Sequence, residues 1–133
     1  MKFSTEKPPN WETLEKKFGV KWGAVAVTYG DTVYARDPIR DDLKAHEAIH
    51  VGQQLEYPGG IEAWWKRYLE DPAFRVEQEI EAYREQLKFV RRHVPDRNKA
   101  FRIHDQLARD LSGPTYGHAI PYQTAFFRIG SAK

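Results

Sequence analysis

Residues 37–56 read Asp37-Pro38-Ile39-Arg40-Asp41-Asp42-Leu43-Lys44-Ala45-His46-Glu47-Ala48-Ile49-His50-Val51-Gly52-Gln53-Gln54-Leu55-Glu56. Asp37 as N-cap with Pro38 at the first helical position opens a helix, and Pro58-Gly59-Gly60 stops it near Glu56. At ~100° per residue, Leu43, His46, Glu47, His50 and Gln54 share one face, while Ala45, Ala48, Ile49, Gly52 and Leu55 lie toward the other. The helix is apolar behind its histidines. Residues 46–50 have the HExxH form: side chains four apart on a helix stand one above the other, so both imidazoles reach a single ion, and Glu47 points toward a water on that ion. The plain alternative is a solvated polar face without chemical role. A third ligand has to decide between them.

Zinc that does catalysis takes three protein ligands and keeps one position for water. Downstream, Asp71-Pro72 opens a long amphipathic helix whose apolar residues Val76, Ile80, Tyr83, Leu87 and Val90 are spaced four, three, four and three apart. Measured from the centre of that stripe at ~100° per residue, Glu79 lies about 60° away, Glu77 about 100° and Glu81 about 140°. Only Glu79 borders the buried face, which makes His46, His50 and Glu79 the candidate metal set and Glu47 the candidate base.

Around these two helices the chain reads as α+β and mostly helical. Pro8-Pro9-Asn10 introduces a short helix through Lys17 that Gly19 stops. Ala24 to Tyr29 and Thr32 to Ala35 flank the turn Gly30-Asp31 and form a β-hairpin just before the motif helix. A short helix follows over Ile61–Glu70, carrying Trp64, Trp65 and Tyr68; with Phe74, these aromatics are expected in the core rather than in a substrate pocket. Pro95-Asp96 opens another helix to about Leu111, Ser112-Gly113-Pro114 ends it, and Tyr122–Ile129 forms a last one.

At 133 residues without a break in composition, residues 1–133 have room for a single domain. Hydrophobic content of 41% supports a packed core despite a negative mean hydropathy. The 21 basic and 19 acidic residues are interspersed, giving a net charge of +2 and no basic block, so nucleic acid is not an expected partner. No apolar stretch approaches the ~20 residues that span a bilayer, and the N-terminus lacks a signal-peptide apolar region, so no membrane partner is expected. With no cysteine, any strong metal site must use His and carboxylates.

These residues resemble the gluzincin-type zinc peptidases. The resemblance is carried by His46-Glu47-Ala48-Ile49-His50, its extension Val51-Gly52-Gln53-Gln54, and Glu79-Ile80-Glu81-Ala82, which is similar to the family's Glu-x-x-Ala segment. It spans roughly residues 32–86, and more narrowly the chain is similar to small HExxH proteins encoded in tailed-phage genomes. The resemblance implies a minimal zincin-like fold, Zn2+ as cofactor, His46, His50 and Glu79 as ligands and Glu47 as base. A cytoplasmic location is expected from the lack of a signal or spanning segment, or the host cytoplasm or virion for a phage-encoded protein. One position departs: where family members often have Asp supporting a ligating His, this chain has Tyr83, so either Tyr83 or another acceptor must orient that imidazole.

The expected activity is peptide-bond hydrolysis by a metal-activated water with Glu47 as general base, on a peptide or protein substrate. An exposed strand edge near Thr32–Arg36 would pair with an extended substrate. The loop Gly113-Pro114-Thr115-Tyr116-Gly117-His118 offers Tyr116 and His118 as oxyanion donors. His93 and His104 are read as surface histidines. Two rivals remain: a zincin-fold binding or virion-associated protein whose metal is only a staple, and a metal-free helical interaction module. A staple has no use for the base Glu47.

Overall fold

The computed structural model describes residues 1–131. Its elements are strand β1 (Lys2–Ser4), helix α1 (Trp11–Phe18), strands β2 (Val27–Tyr29) and β3 (Thr32–Tyr34), and helices α2 (Asp41–Glu56), α3 (Ile61–Glu70), α4 (Pro72–His93), α5 (Arg97–Ser112) and α6 (Tyr122–Gly130), with a 3₁₀ turn at Pro114–Tyr116. The class is α+β and mostly helical, as the sequence predicts. No helix among the described residues is long and apolar enough to cross a membrane.

Local chemistry accounts for most of the boundaries. Asp71 caps α4 by accepting the Phe74 N–H at 3.1 Å, with Pro72 in the first turn. Asp96 caps α5 by accepting from Asn98 and Lys99. Gly19 ends α1 in the left-handed region at φ 66. The start of α2 differs from expectation. Asp37 lies in a bend and residues 38–40 are outside any helix, Arg40 is the extended cap residue at ψ 157, and the Asp37 carboxylate accepts from Arg36 Nε at 3.0 Å instead of capping a helix. Asp41 and Asp42 supply the negative charge that a helix N-terminus favours.

The sheet is ordered β1-β3-β2, with β3 antiparallel to β2 and parallel to β1. The hairpin is shorter than the sequence predicts, and β1 is an addition: Lys2 N–H donates to Asp31 O at 2.8 Å and Ala35 N–H to Ser4 O at 3.0 Å. The edge of β3 expected to receive a substrate is therefore occupied by β1. The remaining edge on the hairpin is that of β2. With Tyr29 paired to Thr32 across a two-residue turn, strand alternation turns the backbone groups of Thr28 to that outer edge, where its carbonyl accepts from Gln54.

Two apolar clusters make the core. One joins α4, α5 and α6 through residues such as Ile80, Leu87, Leu111 and Ile129; the other joins α1, β2 and α3 through Trp11, Leu14, Val27, Trp64, Trp65 and Tyr68. Helix α2 lies against α4 and contributes no fully buried apolar side chain. Its buried residues are Asp42, His46, Glu47, His50 and Gln54. The polar face points inward, and Leu55, on the face read as apolar, is 56% exposed. Such burial is stable only when every polar group finds a partner, because each orphan costs about 1–3 kcal/mol. Gln54, fully buried, shows how this is met: its amide accepts from Gly30 N–H at 2.7 Å and donates to Thr28 O at 2.8 Å, tying the hairpin to α2.

His104 corrects another expectation. It is 7% exposed, its ring stacks on Phe126 with centroids 3.7 Å apart, and Nε2 bonds Phe126 O at 2.8 Å. Gly130 permits this packing, since a Cβ there would stand 2.6 Å from His104 Cε1. His93 is exposed, as expected.

Candidate metal centre

Packing of α2 on α4 brings the three candidate ligands together. His46 Nε2 and His50 Nε2 are 3.2 Å apart, and each is 3.2 Å from Glu79 Oε1. All three residues are buried, at 2%, 5% and 3% exposure. They are the one such group of metal-competent side chains among the described residues.

The surroundings decide what those three atoms carry. Gln86 Nε2 donates to Asp42 Oδ2 at 2.9 Å, which turns its Oε1 toward His46 Nδ1, also at 2.9 Å. Gln53 Nε2 donates to Gln78 O and to Glu81 Oε1, which turns its Oε1 toward His50 Nδ1 at 2.8 Å. An amide oxygen only accepts, so both imidazoles carry their proton on Nδ1 and direct the Nε2 lone pair inward. The third atom is equally constrained: Tyr68 donates its hydroxyl to Glu79 Oε2 at 2.7 Å, leaving Oε1 to face the histidines. Three lone-pair-bearing atoms thus converge on one point, an arrangement that can hold a cation. A tetrahedral zinc, with bonds of about 2.0–2.1 Å to His and carboxylate, spaces its ligand atoms about 3.3 Å apart. The residues present fit that ion.

Without a metal the cluster draws in a proton. Burial opposes charge on His50, yet the Glu79 carboxylate beside it raises its pKa from 6.5 to about 9. Burial likewise pushes Glu79 upward, but His50 and His46 outweigh it and hold the carboxyl well below the usual 4.5. The raised His50 contributes stability that is present below 6.5 and lost as pH climbs through about 9. The depressed Glu79 contributes stability that is present above 4.5 and lost as pH falls below it. Chelator-stripped protein is therefore expected to show a Tm that declines on both sides of that interval, and zinc is expected to remove the alkaline decline. Thermal unfolding across pH, with and without zinc, checks this.

Glu47 sits beside the triad without joining it. Thr28 Oγ1 donates to its Oε1 at 2.8 Å, and its Oε2 is 3.7 Å from His46 Nε2. Tyr83 does not take over the role of the family's Asp. Its ring packs edge-on against His46 with centroids 4.4 Å apart, and its hydroxyl pairs with that of Tyr116 at 2.8 Å; the acceptor behind His46 is Gln86. Replacing Gln86 with Leu is expected to weaken zinc binding ~10 to 100-fold, read by competition with a chromogenic chelator.

A cleft passes over the triad, and His46, Glu47, Val25, Ala26, Thr115 and Tyr116 line both of its limbs. Of the two oxyanion-donor candidates, Tyr116 is placed there and His118 is not. His118 is exposed, and its Nδ1 turns to Ser112 O at 3.2 Å. Trp64, Trp65 and Tyr68 are core residues as expected, yet they also line the cleft, and Tyr68 touches a ligand. Arg75, 3% exposed, braces this side: Nε and Nη2 donate to Tyr68 O and Leu69 O at the end of α3, and Nη1 donates to Tyr116 O at 3.0 Å. Sequence reasoning missed Asp42, Tyr68, Arg75 and Gln86. For Gln86 a signal existed, because it interrupts the apolar stripe of α4 between Tyr83 and Leu87. Comparisons with protein-family models, with curated proteins and with solved structures yield no match to this chain.

Proposed function

We propose that this protein is a zinc-dependent hydrolase that cleaves peptide bonds, with Glu47 as general base. The observation that carries the reading is the 3.2 Å triangle of His46 Nε2, His50 Nε2 and Glu79 Oε1, with both tautomers set by glutamine amides and an ionisable carboxylate alongside in an open cleft. Held by these three residues, zinc would supply Lewis acidity and would lower the pKa of a bound water toward ~7.

The remaining work falls to the chain's own side chains. Thr28 occupies Glu47 Oε1, so Oε2 is the oxygen that takes the water's proton and afterwards delivers it to the departing amine. The C–O bond to water forms first and leaves a tetrahedral carbon bearing an oxyanion; the C–N bond then breaks as the nitrogen takes the proton from Glu47, and the products are a carboxylate and an amine. Burial raises the Tyr116 phenol well above its usual pKa and keeps it a donor. It is the group suited to the developing negative charge on the substrate carbonyl. The segment Val25-Ala26, which enters β2 and lines both limbs of the cleft, offers a strand-like partner to an extended peptide, a more direct reason for a peptide substrate than the covered edge of β3.

Incubation of a diverse peptide mixture with zinc-loaded protein, read by mass spectrometry, tests the reading. New termini that a chelator suppresses and zinc restores are the expected result. An unchanged mixture, or cleavage indifferent to chelator, removes it.

A further inference from the structure

The two limbs of the cleft differ in chemistry. On the side of α1 and α3 the wall is apolar, formed by Leu14, Phe18, Val20 and Trp65. On the side of α5 the wall carries Arg40, Lys99 and Arg102. Lys99 and Arg102 stand one helical turn apart, are exposed, and form no ion pair among the described residues, whereas Arg40 is paired with Asp42. Glu47 apart, Asp110 is the carboxylate that lines this limb among the described residues, and it is engaged by Gln106 Nε2 at 2.9 Å.

Strand β2 and the residues before it give the cleft a direction. Ala24 lines only the basic limb, Val25 and Ala26 line both, and Val27 and Thr28 line only the apolar limb. The chain therefore runs from the basic limb toward the apolar one. A peptide paired antiparallel to it, the stronger mode of edge pairing, runs from the apolar limb to the basic one.

Resting on the hydrolase reading above, we propose that the substrate is a peptide with a bulky apolar side chain N-terminal to the cut bond and a carboxylate within a few residues C-terminal to it. The carboxylate belongs to an acidic side chain or to the peptide's own C-terminus. Phe18 and Trp65 bound the apolar subsite, and Lys99 and Arg102 receive the carboxylate. Because those two cations are solvent-exposed, their attraction is screened by salt, and the preference narrows as ionic strength rises.

The test uses one parent peptide bearing Phe, with Glu, Gln or Lys placed C-terminal to it, and with the chain end as free acid or amide. Two readouts are taken: kcat/KM with the zinc-loaded wild type, and Kd with the zinc-loaded Glu47→Gln protein. Glu is expected to exceed Lys about tenfold, and the Lys99→Glu, Arg102→Glu double variant is expected to reverse that order. Loss of preference on amidation assigns the carboxylate to the chain end, and persistence assigns it to the side chain. Equal handling of Glu and Lys together with equal handling of free acid and amide by the wild type, an order unchanged in the double variant, or fragments with the acid N-terminal to the cut overturn the proposal. Absence of cleavage with the Kd order intact defeats the hydrolase reading and supports the subsite assignment; absence of both orders defeats the subsites.

Discussion

Glu47→Gln is expected to lower kcat about 10² to 10⁴-fold, the range that a positioned general base contributes, while zinc stoichiometry stays at the wild-type value. The separation follows from geometry. Glu47 is outside the 3.2 Å triangle, and its Oε2 lies 3.7 Å from His46 Nε2, so no ligand bond is lost. The Thr28 hydroxyl can still donate to the amide oxygen of Gln, which keeps the variant folded. Single-turnover assays together with metal analysis check both halves. A variant that cleaves like wild type removes Glu47 from the chemistry, and one that loses zinc makes Glu47 part of the coordination.

His50→Ala is expected to have the largest effect on metal affinity and on stability together. It deletes one of three ligands, so zinc affinity should fall by more than the ~100-fold that loss of a supporting partner reaches. It also strips Glu79 of one of the two histidines that compensate its charge, leaving a 3% exposed carboxylate held by the Tyr68 hydroxyl and His46. Removing one partner of a buried pair costs about 3–5 kcal/mol. Zinc should raise the wild-type Tm, with about 2.7 kcal/mol gained at a hundredfold excess over Kd, and should leave the variant unmoved. Calorimetry with graded zinc measures this.

What could be read from the sequence divides along physical lines. Features set by neighbours along the chain were legible: the Asp71-Pro72 opening of α4, the bounds of α3 at Ile61–Glu70, and the place of Glu79 beside the apolar stripe of α4. Features set by partners distant in sequence were not. Strand β1 is three residues long and exists through its pairing with β3. His104 becomes a core residue only because α6 presents Phe126 and a glycine to it. The inversion of α2 is the clearest instance. Hydrophobic periodicity assigns the apolar face inward, but here Asp42, His46, Glu47, His50 and Gln54 satisfy one another and groups on β2 and α4, so the polar face is the buried one. A pattern that scores hydrophobicity cannot register hydrogen-bond partners that lie 19 to 44 residues away.

The same inversion explains why the tautomers matter. Without Gln86 and Gln53 behind them, two imidazoles facing one another at 3.2 Å could share a proton and stabilise each other as a metal-free pair. With both Nδ1 atoms committed to amide oxygens, the Nε2 atoms are the ones left to face the site, where a metal ion competes with the proton that Glu79 draws onto His50.

The most direct test is crystallographic: crystals grown with zinc, measured on either side of the zinc absorption edge. The account predicts a single strong anomalous peak at bonding distance from His46 Nε2, His50 Nε2 and Glu79 Oε1. A zinc-loaded crystal with no peak among those three atoms would contradict it.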